Sequence, residues 1–317
     1  MEPVLIDLIN EGCDIIFTTS YGYGEKTKEI AAQYPEVQFC QATCDNANTE
    51  PVISNYHTFM GSIYEGRYIC GVVAGMKLDA LIKEGKITAE QAKIGYIGAF
   101  PCAEVISGYT SFFLGIRSVV PEATMTVKYT NSWSNYHLEK TFAEELIEEN
   151  CIIISQHSDT SGPAAACEET DVSKSVYYVS YNESMRDIAP TTYLTGSKIN
   201  WTPYMTKAVE AVLAEKNIDS WISGNVNGND IGSGFENDWV EMLEINEFVV
   251  SDETQERVDC LIEDFKNNRI QVFKGDYTGT DPYDSDDTID LSEGYNENKK
   301  SSAPSFHYVL DDVITIE

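Results

Sequence analysis

Ile94-Gly95-Tyr96-Ile97-Gly98-Ala99-Phe100-Pro101-Cys102-Ala103-Glu104 decides the fold. Ile94 to Ile97 reads as a short buried strand, and Glu104 to Val119 as a helix ending before Pro121. The same strand-then-helix unit recurs in both directions. Upstream, Asp14 to Phe17 is a strand, Gly22 and Gly24 mark a turn, Lys26 to Tyr34 is a helix stopped by Pro35, and Val37 to Cys40 is the next strand. Val4 to Asn10 reads as a helix, and Phe59 to Leu81 as one long amphipathic helix. Downstream, strands are predicted at Thr126–Tyr129, Ile152–Ser155, Val176–Val179 and Ile270–Phe273. Helices are predicted at Asn135–Asn150, Ala164–Glu169, Pro203–Glu215 and Glu253–Asn268. Short apolar strands alternating with helices imply parallel sheets covered on both faces.

Two such sheets are expected. Thr18-Thr19-Ser20-Tyr21-Gly22 and Ser155-Gln156-His157-Ser158-Asp159 each follow a buried strand, and each strand follows an acidic helix and a cysteine, Cys13 or Cys151. The fold class is therefore α/β, with two doubly wound parallel-sheet lobes. The expected division is residues 1–92 with 200–228 as a first lobe, and 93–199 with 229–317 as a second lobe carrying an acidic tail.

Composition excludes several functions. The 317 residues include 52 acidic and 21 basic side chains, for a formal net charge of −31. Such a surface repels phosphate backbones and anionic lipid, so no nucleic-acid partner is expected. No apolar run is long enough for a transmembrane helix. Met1-Glu2-Pro3-Val4-Leu5-Ile6-Asp7 lacks the basic and apolar regions of a signal peptide. Asp276, Asp281, Asp284, Asp286, Asp287, Asp290, Glu293 and Glu297 lie together without Lys or Arg, and read as a solvated loop. Their spacing lacks the central Gly and terminal Glu of an EF-hand. The eight cysteines are scattered, mostly in apolar runs, and His57, His137, His157 and His307 show no zinc-ligand spacing to them. No metal or cofactor is expected. P-loop, nucleophile-elbow and H-E-x-x-H motifs are missing, and Gly22-Tyr23-Gly24 lacks the third glycine of a dinucleotide fingerprint.

Ligands of parallel sheets bind beyond the carboxyl ends of the strands. The residues there are Ser20-Tyr21-Gly22-Tyr23, Phe100-Pro101-Cys102, Asn131-Ser132-Trp133, His157-Ser158-Asp159, Tyr181-Asn182-Glu183 and Asn200-Trp201. Flat rings can sandwich a flat solute while amide, hydroxyl and carboxylate groups read its edge. Without Arg or Lys in these segments, a phosphorylated solute is not expected. Phe100 and Trp133 read equally as core aromatics, Glu104 and Asp159 as helix-start charges, and Tyr21 and Tyr23 as surface rings. Arg67 is expected to be a structural ion-pair partner and His157 a near-core histidine.

At these residues the chain resembles the basic membrane protein (BMP) family of ABC-transporter binding lipoproteins. The resemblance is carried by Ile15 to Gly22, Tyr64-Glu65-Gly66-Arg67-Tyr68, Ile94 to Pro101, Glu104-Val105, Gly115 to Val119, and Thr130-Asn131-Ser132-Trp133. It is carried also by Ser155 to Asp159, Ala189-Pro190 and Asn200-Trp201-Thr202-Pro203-Tyr204, and runs in order from about Ile6 to Phe273. The resemblance implies a type I periplasmic-binding-protein fold with three crossings, near Gln91–Lys93, Leu194–Ile199 and Asn229–Gly234. It implies an extracytoplasmic, lipid-anchored receptor of an ABC importer that performs no catalysis, closes around a purine nucleoside or nucleobase and hands it to permease subunits. By matching motif Phe100, Glu104, Trp133, Asp159 and Asn200, and by their place at strand ends Ser20, Tyr21, Gly22, Tyr181, Asn182 and Trp201, are the expected ligand contacts. Ser180-Tyr181-Asn182-Glu183-Ser184 departs from the family by placing an amide where an Asp is common. The family's opening strand, helix and strand have no counterpart before Val4, so the first lobe is expected to be truncated. A ligand-sensing regulatory domain of the same fold, and less so a nucleoside-processing enzyme, are the alternatives.

Overall fold

The computed structural model describes residues 1–317. In chain order the elements are α1 Glu2–Asn10, β1 Ile15–Thr18, α2 Gly24–Ala31, β2 Gln38–Ala42, β3 Tyr56–Gly61, α3 Ile63–Lys83, β4 Lys93–Gly98, α4 Ala103–Arg117, β5 Thr124–Tyr129, α5 Tyr136–Glu148, β6 Ile153–His157 and α6 Gly162–Glu169. There follow β7 Tyr177–Tyr181, β8 Tyr193–Ile199, α7 Thr202–Leu213, α8 Ile218–Trp221, β9 Asn225–Asn227, β10 Asp230–Ser233, β11 Val240–Met242, α9 Thr254–Lys266, β12 Thr278–Asp281, β13 Asp284–Asp290, β14 Val309–Leu310 and β15 Ile314–Ile316.

The chain forms two compact units. Unit 1 comprises Met1–Ser62, Ile199–Val240 and Asn298–Ser305. Its sheet runs β1-β2-β3-β10-β9, parallel except for the β10–β9 pair. Leu5, Ile16, Ile30, Phe39 and Tyr56 form one buried cluster, with α1 and α2 supplying Leu5 and Ile30. Cys40, Phe59, Tyr204, Ala208 and Trp239 form another, where Phe59 and Tyr204 stack at 3.8 Å. Asp230 is buried at the start of β10 and accepts hydrogen bonds from the Thr58 hydroxyl and from the Ser302 amide and hydroxyl, which fastens segment 298–305 to the sheet.

Unit 2 comprises Ile63–Lys198, Glu241–Glu297 and Phe306–Glu317. Its sheet has the order β11-β8-β7-β6-β4-β5-β15, and the central pairs are all parallel. From β4 the chain passes to β5 on one side and then to β6 on the other, so the strand order reverses between β4 and β6. That reversal opens a crevice at the carboxyl ends of the strands. Helices α3 and α4 meet backbone to backbone: a Cβ at Gly71 would lie 1.9 Å from the Phe112 carbonyl oxygen, and one at Gly115 2.2 Å from that of Tyr68. Arg67 of α3 is fully buried. Its guanidinium donates to the Ser180 carbonyl, the Tyr96 hydroxyl and the Ser155 hydroxyl, and lies 4.9 Å from the Phe112 ring centre. The expected structural role is present, but the partners are neutral oxygens and rings in place of an acid.

Several elements differ from expectation. The predicted helix from Phe59 divides into β3 and α3, with all six β3 residues buried. Ile270–Phe273 is not a strand; Phe273 makes a single bridge to Tyr295. The acidic segment predicted as a loop is an antiparallel hairpin, β12–β13, paired also with β14. Helix α3 groups with unit 2, whereas residues 229–240 and 298–305 group with unit 1. The packing of α3 on α4 accounts for the first of these.

Candidate functional site

The site is built most fully in unit 2. Strands β7, β6, β4 and β5 are neighbours in that order, so the loops at their carboxyl ends come together. The ring of Phe100, just after β4, meets Trp133, after β5, at 5.6 Å and 61°. Trp133 lies 6.5 Å from His157 at the end of β6, and His157 lies 4.0 Å from Tyr181 at the end of β7. Four rings from four adjacent strands thus form a continuous row. Phe100 and Trp133 are half-buried, and Tyr181 and His157 are buried.

Carboxylates stand beside this row. Glu104, in the first turn of α4, places Oε1 3.6 Å from His157 Nε2. Asp159 is exposed, and its backbone N–H donates to the Trp133 carbonyl at 2.8 Å. Partial desolvation, then the charge of Glu139 and Glu104, raises the Asp159 carboxyl above the ordinary range, against the lowering influence of His157. Burial drives the Tyr181 phenol well above its usual range, so it stays a neutral hydroxyl. Asn131 and Asn182 adopt left-handed backbone, with φ of 52° and 61°, a conformation that Asn tolerates better than most side chains. Asn182 is exposed.

Residues outside the predicted set hold this arrangement. Glu139 of α5 is buried, and its Oε2 accepts from the Ser158 hydroxyl at 2.9 Å, the Thr160 hydroxyl at 2.7 Å and the Thr160 amide at 3.2 Å. Its Oε1 accepts from the Asn135 amide at 2.9 Å. Gln156 donates to the carbonyls of Ser158 and Thr160 and accepts from the Tyr178 hydroxyl. Gly108 leaves room for the imidazole, since a Cβ there would lie 2.5 Å from His157 Nδ1. Glu139 sits on the helix expected at Asn135–Asn150, but a single acid on a helix rich in Glu carries no sequence signal of burial.

The remaining predicted residues lie in unit 1. Ser20 has φ of 93° and its carbonyl accepts from Gln41 Nε2. Tyr21 and Tyr23 are exposed, and Tyr21, Gly22, Gly24, Cys44, Asp45 and Asn46 line a cavity of about 300 Å³. The Asn200 side chain donates to the Asp238 carbonyl and accepts the Thr202 amide, which starts α7. Trp201 packs edge-on against Phe59 at 5.5 Å. The side chains of Asn200 and Trp201 thus have structural work in unit 1.

No helix is long and apolar enough to cross a membrane. The family model of PnrA-like ABC transporter substrate-binding proteins (Bmp) matches residues 1–274. A Haloferax volcanii protein named as an ABC transporter glucose-binding protein is 30% identical over 262 residues, covering 83% of this chain and 59% of that protein. A purine-binding protein of Brucella abortus is 31% identical over 215 residues, covering 68% of this chain and 55% of that protein. The chain therefore spans less than two thirds of either relative. An ABC transporter solute-binding protein structure from Aeropyrum pernix K1 superposes with a TM-score of 0.68 at 15% identity, over 90% of this chain and 82% of that one. That likeness carries the fold, which is the type I periplasmic-binding-protein architecture of two parallel-sheet lobes. The chain belongs to the PnrA-like (Bmp) family of ABC transporter substrate-binding proteins.

Proposed function

We propose that this chain captures a purine nucleobase or nucleoside for an ABC importer and releases it unaltered. The observation that carries this reading is the row Phe100–Trp133–His157–Tyr181, with the Glu104 and Asp159 carboxylates beside it. A planar heterocycle stacks on the half-buried rings, and the carboxylates accept hydrogen bonds from its ring and exocyclic N–H groups. The name of the Brucella relative supports a purine; that of the Haloferax relative supports a hexose, which also lies flat on an aromatic ring. A lone pyranose face covers less of the two half-buried rings, Phe100 and Trp133, than a bicyclic base does, which favours the purine. Delivery to permease subunits, and a lipid anchor at the extracytoplasmic face, belong to the same proposal.

Thermal-shift screening tests it. Adenine, guanine, hypoxanthine, adenosine, inosine, guanosine and glucose are compared on the purified chain. A rise in melting temperature with at least one purine and none with glucose is expected. A response to glucose alone overturns the purine reading and leaves the family assignment standing.

A further inference from the structure

Beyond residue 274, where the family match ends, Asp281, Asp287 and His307 of unit 2 bring one ligand atom each to within 4.8 Å of one another. We propose that they form a binding site for a divalent first-row transition-metal cation, with Zn²⁺ the best fit. The three come from separate pieces of backbone: the end of β12, the middle of β13, and the segment leading into β14. In the hairpin, Thr280 pairs with Thr288, and the next rung would place Asp281 opposite Asp287. The register breaks between Thr280 and Asp281. Such a bulge re-aims side chains, and here the imidazole of His307 faces both acids.

The oxygens are sorted. Asp281 Oδ1 accepts the Tyr283 amide at 2.8 Å, and its Oδ2 lies 3.6 Å from His307 Nε2. Asp287 Oδ1 accepts the Tyr308 hydroxyl at 3.0 Å, and its Oδ2 lies 3.4 Å from the same nitrogen. Each carboxylate thus has one oxygen anchored by a protein donor and the other turned to a shared point, as outer partners orient metal ligands. A tetrahedral ion with bonds of about 2.0–2.2 Å holds its ligand atoms about 3.3–3.6 Å apart, and the two His307 separations fall in that span. One imidazole with two carboxylates suits Zn²⁺ better than Ca²⁺ or Mg²⁺, which prefer all-oxygen sets. The excess negative charge of the chain, −31, raises the local concentration of any such cation.

The test uses the untagged full chain, stripped with chelator and titrated calorimetrically with ZnCl₂ and with CaCl₂. One Zn²⁺ equivalent is expected that Ca²⁺ does not reproduce, and His307→Ala and Asp281→Asn each lose it while melting like the metal-free parent. Tyr308→Phe, which removes only the outer hydroxyl, is expected to weaken binding by about tenfold. The Co²⁺ adduct should lack thiolate charge-transfer bands, because the proposed ligands include no sulfur; this control separates the site from the exposed Cys102 and Cys260. Zn²⁺ binding that survives His307→Ala, thiolate bands in the Co²⁺ spectrum, or no stoichiometric binding would each overturn the assignment and leave an ordinary His–Asp ion-pair cluster. None of these outcomes bears on substrate capture.

Discussion

The backbone N–H of Asp159 donates to the carbonyl oxygen of Trp133 at 2.8 Å, which ties the acid beyond β6 to the indole beyond β5. The aromatic surface and the polar edge of the candidate site are therefore placed by one hydrogen bond between adjacent loops.

Removing a ring should separate binding from folding. Trp133→Ala and Phe100→Ala are expected to weaken purine binding by about 1–3 kcal/mol, the scale of base–aromatic stacking. Both rings are half-buried, so the loss in unfolding free energy should be smaller than the ~3–5 kcal/mol of a fully buried aromatic. Calorimetric titration and urea melts of the same variants compare the two. A variant that loses stability on the core scale and keeps its affinity identifies that ring as packing.

Glu139 should matter to the ligand without touching it. Its carboxylate takes four hydrogen bonds, three of them from Ser158 and Thr160. Glu139→Ala leaves those donors unmade at about 1–3 kcal/mol for each that stays buried, so a destabilisation of at least about 2 kcal/mol is expected. Glu139→Gln keeps one acceptor oxygen and should fall between the variant and the parent. If Glu139→Gln retains the melting temperature and also the full affinity, the clamp on the loop does not govern binding.

Gly108→Ala probes the seat of His157. The added methyl would lie 2.5 Å from Nδ1, and the imidazole is enclosed. Overpacking of this kind is expected to destabilise by about 1–3 kcal/mol and to shift the ring toward Tyr181. Ligand affinity should fall as well, because the middle of the ring row moves. A crystal structure of the variant with an unmoved imidazole would show that α4 yields in its place.

Binding should depend on acidity through Asp159. Partial desolvation and the nearby Glu139 and Glu104 raise its carboxyl, so it takes up a proton at a higher pH than a free side chain does. The ionised form is the acceptor for a ligand N–H, so affinity is expected to fall as pH drops through that raised value. Asp159→Asn should flatten the profile above the ordinary carboxylate range, where the raised Asp159 carboxyl takes up its proton. The sign for folding is opposite. A raised folded-state value contributes stability that is present at low pH and fades as pH climbs through it. Titrations of affinity and of melting temperature should therefore run in opposite directions for this one group.

The sequence revealed what is local. Strands β4 and β6 are apolar runs followed directly by helices, and the residues after them could be located from the chain alone. The second half of β3, from Phe59, reads as part of the helix that follows because a fully buried strand and a buried helix turn look alike without a periodic pattern. The hairpin at Thr278–Asp290 was hidden by its charge: its exposed faces are Asp-rich, and few apolar positions such as Ile289 and Leu291 mark the inward side. Strands β9, β10 and β11 are three or four residues long, and β10 finds its partner β3 only through a contact some 170 residues away in sequence, as Asp230 opposite Thr58 shows. Within the site, Phe100, Trp133, Asp159 and Tyr181 follow from strand ends. The burial of Glu139 and the structural use of Asn200 and Trp201 depend on neighbours supplied by distant segments, which no local window contains.

The tie between Asp230 and Ser302 sets an order of events during synthesis. Unit 1 draws on residues 1–62, then on 199–240, and last on 298–305. Its first three strands leave the ribosome long before β10 exists to lie against β3, and the buried carboxylate of Asp230 receives its Ser302 donors only after roughly seventy more residues emerge, several seconds at about 5–20 residues per second. Until β10 emerges β3 presents an open edge, and until residue 302 emerges Asp230 lacks its Ser302 donors. The half-made unit 1 is then the stage most exposed to mispairing and to chaperone capture, whereas the run from α3 to β8 can collapse on its own as an uninterrupted stretch.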